Sequence, residues 1–96
     1  MEVVISKSTN KNKKYDVVVD GKKISFGAAT YSDYTIHKDP ERKERYIARH
    51  KTNEDWNKSG IKTAGYWSKH LLWSKDTLQK SIDDISKKHN LNIKMK

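Results

Sequence analysis

The 96-residue chain contains no cysteine, so neither a disulfide framework nor a thiolate metal site is available to it. It has one proline and four glycines, which leaves no Pro/Gly-rich linker and too little glycine for a nucleotide-cradling loop. No apolar run approaches the roughly 18 residues of a membrane span, and no secretory apolar stretch follows Met1. Leu, Ile, Val and Phe supply only 18 of the 96 side chains, while the formal net charge is +9. On those two numbers alone the composition leans toward disorder. Three Trp and five Tyr pull the other way, because each ring buries far more area than an aliphatic side chain. One small basic domain spanning residues 1–96 is expected, with a thin aromatic-rich core, no membrane contact and no secretion.

The charge favours anionic partners. It is spread over the whole chain as +3 for residues 1–27, +2 for 28–51, +1 for 52–74 and +3 for 75–96, so there is no detached polybasic tail.

Glu2 to Ser6 is a short β-branched run, followed by the polar stretch KSTNKNKK at 7–14, which reads as an exposed loop. Tyr15, Val17 and Val19 alternate to one face, as do Ile24 and Phe26. Asp20-Gly21 between them is the pair preferred by a two-residue type I′ hairpin turn. The pattern predicts an α+β fold: a small antiparallel three-stranded sheet, including an N-terminal hairpin, packed against about three helices. Residues 27–37 lack a helical period and read as an ordered loop. Asp39-Pro40-Glu41 combines a capping carboxylate, a proline suited to the first helical position and an acid at the positive dipole end. The helix it starts runs to about Lys51. At 100° per residue, Tyr46, Ile47, His50 and the stem of Lys43 form its core face, and Arg42, Arg45 and Arg49 fall in a neighbouring arc about 60° wide.

Trp56 and Ile61 are expected to anchor the next loop, and Thr63 to cap a helix over GYWSKHLLW at 65–73. On a helical projection that segment is apolar nearly all round, with only Ser68 and Lys69 clearly polar. A platform for stacked bases needs its rings on one open face, so the segment reads as the central packing element. Its three rings and two leucines represent about 10 kcal/mol of gross burial, at roughly 1.5–3 kcal/mol per side chain. Trp73, at the end of the segment, is the ring best placed to reach the surface. Asp76-Thr77-Leu78-Gln79 has the form of a capping box for a last helix to about Lys88. That helix carries Leu78, Ile82 and Ile85 inward, with Asn90 as a left-handed stop. Leu91 to Ile93 can add an edge strand.

No two of the four histidines have the spacing of a helical zinc site, and no serine sits in a nucleophile elbow. His37 and Asp39, with Asp33 nearby, could be drawn as a metal cluster, but Asp39 reads better as a helix cap and His37 as a backbone partner. No enzymatic activity, cofactor or metal is expected. The partner expected from charge is nucleic acid, DNA in the first instance. It would be held by Lys11, Lys13, Lys14, Lys22 and Lys23 of the hairpin, by Tyr31, Tyr34, His37 and Lys38, and by Arg42, Arg45 and Arg49. The alternative is a structural or interaction protein that pairs the same arginines with an acidic partner.

From Phe26-Gly27 through Tyr31-Ser-Asp33-Tyr34, Asp39-Pro40-Glu41-Arg42, Glu54-Asp55-Trp56 and Gly65-Tyr66-Trp67-Ser68 to Leu71-Leu72-Trp73, the chain resembles a family of small uncharacterised proteins. That family is carried by large DNA viruses of algae and amoebae and by some tailed bacteriophages of the human gut. The resemblance implies a viral origin and a place in the virion or the infected-cell cytoplasm, and it makes the alternative a virion structural or minor capsid protein paired with an acidic viral protein. It brings no catalytic residues with it, and it directs interest to Tyr31–Asp39 and the arginine helix.

Overall fold

A computed structural model describes residues 1–96. The hairpin forms as its sequence requires. Strands β2 (Lys13–Val19) and β3 (Lys22–Ala28) pair antiparallel through Asp20 and Gly21, whose φ angles of 50° and 78° are both in the left-handed region a type I′ turn demands. Strand β1 (Glu2–Lys7) pairs antiparallel with β2, and Val3 faces Val19 while Ile5 faces Val17. Val3, Ile5, Val17, Val19 and Phe26 are wholly buried on one face, the period-2 outcome of their alternation. The opposite face is mixed, with Val4 paired to Val18 among polar side chains. There the row Ser6, Asp16, Ser25 runs across three strands, and the Asp16 carboxylate accepts from the Ser25 and Ser8 hydroxyls at 2.6 and 2.7 Å. Those hydroxyl bonds hold its pKa down at about 2 despite its burial.

Two features depart from the expected three strands and three helices. A fourth strand, β4 (Asn92–Met95), pairs parallel to β1, giving a mixed sheet of order β3-β2-β1-β4. Residues 34–37, expected as loop, form a single helical turn, α1 (Tyr34–His37), capped by Asp33. Asp33 accepts from the Thr35 amide at 2.9 Å, and Lys38 closes the turn at φ 55°.

Helix α2 (Pro40–His50) starts on Asp39, whose side chain accepts from the Glu41 amide at 3.0 Å. Only Tyr46 of this helix is buried, with Lys43, Ile47 and His50 half-buried beside it, as the projection predicted. Helix α4 (Leu78–Lys88) buries Ile82 and Ile85 and ends before Asn90 at φ 54°. Its cap is Thr77, which accepts from the Lys80 amide at 3.1 Å, one residue later than the box starting at Asp76. Gln79 accordingly reaches forward to Asp83 at 3.0 Å, and Asp76 instead meets Lys80 at 3.3 Å.

The GYWSKHLLW segment is the packing centre. Thr63 caps α3 (Ala64–Trp67), which runs directly into a π-helical turn at Ser68–Leu72. The widened turn sends Tyr66, Trp67, His70, Leu71 and Leu72 all into the interior, leaving Gly65, Ser68, Lys69 and Trp73 partly exposed. The Trp67 indole N–H donates to the Ile61 carbonyl at 2.7 Å, which fixes the preceding loop against this helix. Leu72 comes so close to the edge strand β3 that a Cβ at Gly27 would lie 2.8 Å from its Cδ1. Gly27 also sits at φ 77°, so both space and backbone require glycine there.

Buried polar groups in this layer are paired. The Trp56 carbonyl lies 2.8 Å from His70 Nε2, so that nitrogen carries the proton and donates. The Tyr66 hydroxyl lies 2.5 Å from His89 Nδ1, and burial pushes the phenol pKa up and the imidazole pKa down, so the hydroxyl donates. Burial takes the His70 pKa down to about 4, with Lys69 and His89 adding to the effect. Because the folded value is depressed, the unfolded chain takes up the proton first on acidification. The associated stability is therefore complete above about pH 6.5 and is lost as pH falls toward 4. Thermal melts should show a midpoint that is flat above neutrality and falls across that window, as about 3 kcal/mol of stability attributable to His70 is lost. The variant His70→Gln should have a shallower fall, and an unchanged profile in that variant would assign the acid sensitivity elsewhere.

Candidate functional site

The polar stretch between β1 and β2 is an ordered turn. Asn10 donates its amide to Ser8 Oγ at 3.1 Å, Asn12 donates to Asn10 Oδ1 at 2.9 Å, and Lys13 donates to the Asn10 carbonyl at 3.0 Å. This turn holds Lys11 and Lys13 beside Lys7 of β1 and beside Lys96, whose amide donates to the Ile5 carbonyl at 2.8 Å. The four lysines and Lys14 line an open cleft of about 610 Å³. Its only side-chain carboxylate, Asp33, is already paired with Lys14. Lys7, Lys11, Lys13 and Lys96 have no carboxylate within ion-pair distance, so the cleft presents four uncompensated ammonium groups.

Asp33 and Lys14 are structural. The carboxylate is 3% exposed, caps α1, and accepts from Thr35 as well as from the Lys14 ammonium. His37 Nδ1 accepts the Asp39 amide at 2.9 Å while its Nε2 is buried without a partner, Asp39 caps α2, and no group of three or more His, Asp or Glu side chains is arranged to hold an ion. Burial, with a smaller contribution from Arg42, lowers the His37 pKa, so the ring is neutral at neutral pH and cannot serve as a phosphate-binding cation.

Helix α2 is attached through rings. Tyr46 stacks on Trp73 with centroids 4.4 Å apart and planes 2° apart, His50 stacks on the other side of Tyr46 at 4.4 Å, and His37 lies 5.3 Å from Trp73. Two lysines fasten the same region to the segment after the π turn. Lys43 Nζ donates to the Ser74 carbonyl and Lys38 Nζ to the Asp76 carbonyl, both at 2.6 Å. Lys43 Nζ also sits 4.9 Å above the Tyr34 ring, covering one face of it. The outward side of α2 carries Arg42, Arg45 and Arg49, all exposed. These are the chain's only arginines, and none is within ion-pair distance of a carboxylate, Glu41 and Glu44 on the same helix included.

A second cleft, of about 390 Å³, lies between β3 and α2 and shares Lys13, Lys14 and Asp33 with the first. Tyr31, Tyr46, His50 and Trp73 contribute rings to its lining, and Arg49 and Glu54 contribute charge. Tyr31 is 73% exposed.

The twelve residues singled out from the sequence therefore separate into three groups. Lys11, Lys13, Tyr31 and Arg49 converge on the two adjoining clefts, and Arg42 and Arg45 extend that basic surface along α2 for about 10 Å. Lys14, Tyr34, His37 and Lys38 are engaged in holding α1 and its surroundings. Lys22 and Lys23 stand at the turn end of the hairpin, six residues along the strand and about 20 Å from Lys13. There Lys23 meets Asp16 at 3.4 Å and Lys22 meets the Lys62 carbonyl at 3.4 Å, so the hairpin lysines do not form one surface. Lys7 and Lys96 were missed. Lys7 opens the lysine-rich run, but Lys96 reaches the cleft only through the parallel pairing of β4, which has no local signal.

A family model described as a family of unknown function (DUF5754) matches residues 3–50, half of the chain. The matched span runs from β1 through α2 and includes both walls of the lysine cleft except Met95 and Lys96. No curated protein and no solved structure matches the chain.

The two classes of lysine should be separable by substitution. Lys14→Ala leaves the buried Asp33 carboxylate without its counter-ion and should cost about 3 kcal/mol in chemical denaturation. Lys13→Ala, at an exposed and unpaired position, should leave the unfolding midpoint unchanged.

Proposed function

The chain belongs to this family of unknown function, and for this member of it we propose a non-enzymatic accessory role in binding nucleic acid through a basic surface. The observation that carries the reading is that four lysines and Arg49 line two adjoining clefts, with Arg42 and Arg45 exposed on the helix that carries Arg49, and none of the seven has a carboxylate partner. In a chain with 12 acidic residues, ion pairs on the arginines' own helix were available and are not made. Unpaired guanidinium and ammonium groups on a fixed scaffold suit phosphate oxygens, which accept from both. The resemblance in the sequence supports a viral setting, with the protein in the virion or the infected-cell cytoplasm. The side chains that could be drawn as a hydrolytic centre, Asp33, His37 and Asp39, are used as caps and backbone partners, which supports a binding role.

Anisotropy titration of labelled DNA and RNA oligonucleotides over a series of salt concentrations tests the proposal. Binding should be clear at about 50 mM salt and fall linearly on a log–log plot, by about 0.7–0.9 units of slope per phosphate contact. Replacing Arg42, Arg45 and Arg49 together by Ala should reduce affinity at least 100-fold and flatten the slope by about two units. The thermal midpoint of that variant should stay within about 2 °C of the parent, because exposed unpaired side chains contribute little to stability. Absence of binding at low salt would overturn the reading, and an acidic viral protein would then be the partner to seek.

A further inference from the structure

We infer that the nucleic acid held by this surface is single-stranded, its backbone crossing the lysine cleft and one base entering the neighbouring aromatic cleft against Tyr31. The inference rests on the nucleic-acid reading above and specifies the form of that partner.

Charge and apolar surface coincide here to a degree that phosphate binding does not need. The chain has five exposed large hydrophobic side chains: Met1, Val18, Tyr31, Ile36 and Met95. Three of the five line the two clefts, Ile36 and Met95 beside the lysines and Tyr31 beside Arg49. An intact duplex offers its phosphates and groove edges, while its base faces are stacked inside and out of reach. Exposed apolar side chains set among cations have no partner on such a surface. A single strand supplies both, because its unstacked bases present flat faces to rings and aliphatic groups while its phosphates meet the cations.

The division of charge between the clefts follows the same chemistry. The lysine cleft has no free side-chain carboxylate among its five lysines, so it favours phosphate. The aromatic cleft includes Glu54, which is half-buried and in no ion pair. Its carboxylate repels phosphate and offers only acceptors, which suits the amino and imino donors of a base edge. Lys13 stands on the shared wall and Arg49 on the far side, so a base entering between them has a cation toward each flanking phosphate. Both clefts are concave, whereas duplex recognition inserts a convex element into a groove. Helix α2 is a convex basic element, and insertion of its arginine side into a major groove is the rival geometry.

The test compares a single strand of about 12 nucleotides with the duplex of the same length, in DNA and RNA arms, by anisotropy at one moderate salt concentration. The single strand should bind at least tenfold more tightly than the duplex. Tyr31→Ala should weaken single-strand binding about tenfold with the salt slope unchanged, and Tyr31→Phe should restore it. Lys13→Ala should instead lower the slope by about 0.7 units. Equal or tighter binding of the duplex, or indifference to Tyr31→Ala, would overturn this inference while leaving the nucleic-acid reading in place. Failure of every form to bind at low salt would overturn both. Tyr31 is exposed and makes no ring–ring contact in the folded chain, so loss of fold does not confuse the outcome.

Discussion

The seating of Tyr66, Trp67, Leu71 and Leu72 on the inner face of the sheet is the constraint from which the remaining structure follows. With so few aliphatic side chains, the inward residues of the strands, Val3, Ile5, Val17, Val19 and Phe26, need large partners to close a dry layer. A regular α-helix would carry some of this cluster round to solvent. The π turn at Ser68–Leu72 widens the helix where it meets the sheet and keeps His70, Leu71 and Leu72 inside together. The cost falls on neighbours that must yield space, and Gly27 on the edge strand is one of them.

The outer elements are held through that centre. Trp73 follows the π turn directly and offers its indole face to Tyr46, which is the only buried residue of α2. The arginine helix is thus attached to the core by one ring stack and by the Lys43 bond to the Ser74 carbonyl, and Lys38 just before the helix bonds the Asp76 carbonyl. Cations on this side accordingly have two roles. Those that find partners within the fold, Lys14, Lys38 and Lys43, neutralise a buried carboxylate or satisfy carbonyl groups left free beyond a helix end. Those turned outward, Arg42, Arg45, Arg49, Lys11 and Lys13, have no partner in the molecule.

What could be read from the sequence is what local chemistry decides. Asp20-Gly21 needed only its own turn, Asp39-Pro40 only the first turn of its helix, and Asn90 only a left-handed stop. All three stand where those signals put them. The apolar wrap of GYWSKHLLW identified a buried helix, but a projection at 100° per residue has no means of revealing a π turn. Two adjacent residues, Asp76 and Thr77, could each cap α4, and local sequence did not choose between them. The one-turn helix α1 is too short to have a period. The sites were the least legible part, because each cleft is assembled from segments far apart in the chain: Lys7 and Lys13 meet Lys96 in one, and Tyr31 meets Arg49 and Trp73 in the other. Equal-looking lysines took different roles according to whether a carboxylate lay within reach, a fact that exists only once the chain is folded.

The parallel pairing of β4 with β1 has a kinetic meaning. It joins residues about ninety positions apart, the longest loop closure in the molecule, and its reward is a ladder of only four residues at the sheet edge. The hairpin can form from its own residues, whereas this ladder waits for the core to bring its partners together. Such an edge also opens at less cost than the interior strands, so amide exchange there is expected to run through local fraying ahead of global unfolding. Met95 and Lys96, one wall of the lysine cleft, ride on that ladder. The basic surface is therefore graded in persistence: firm where Lys13 and Arg49 stand on the core side, and intermittent where the last strand completes it.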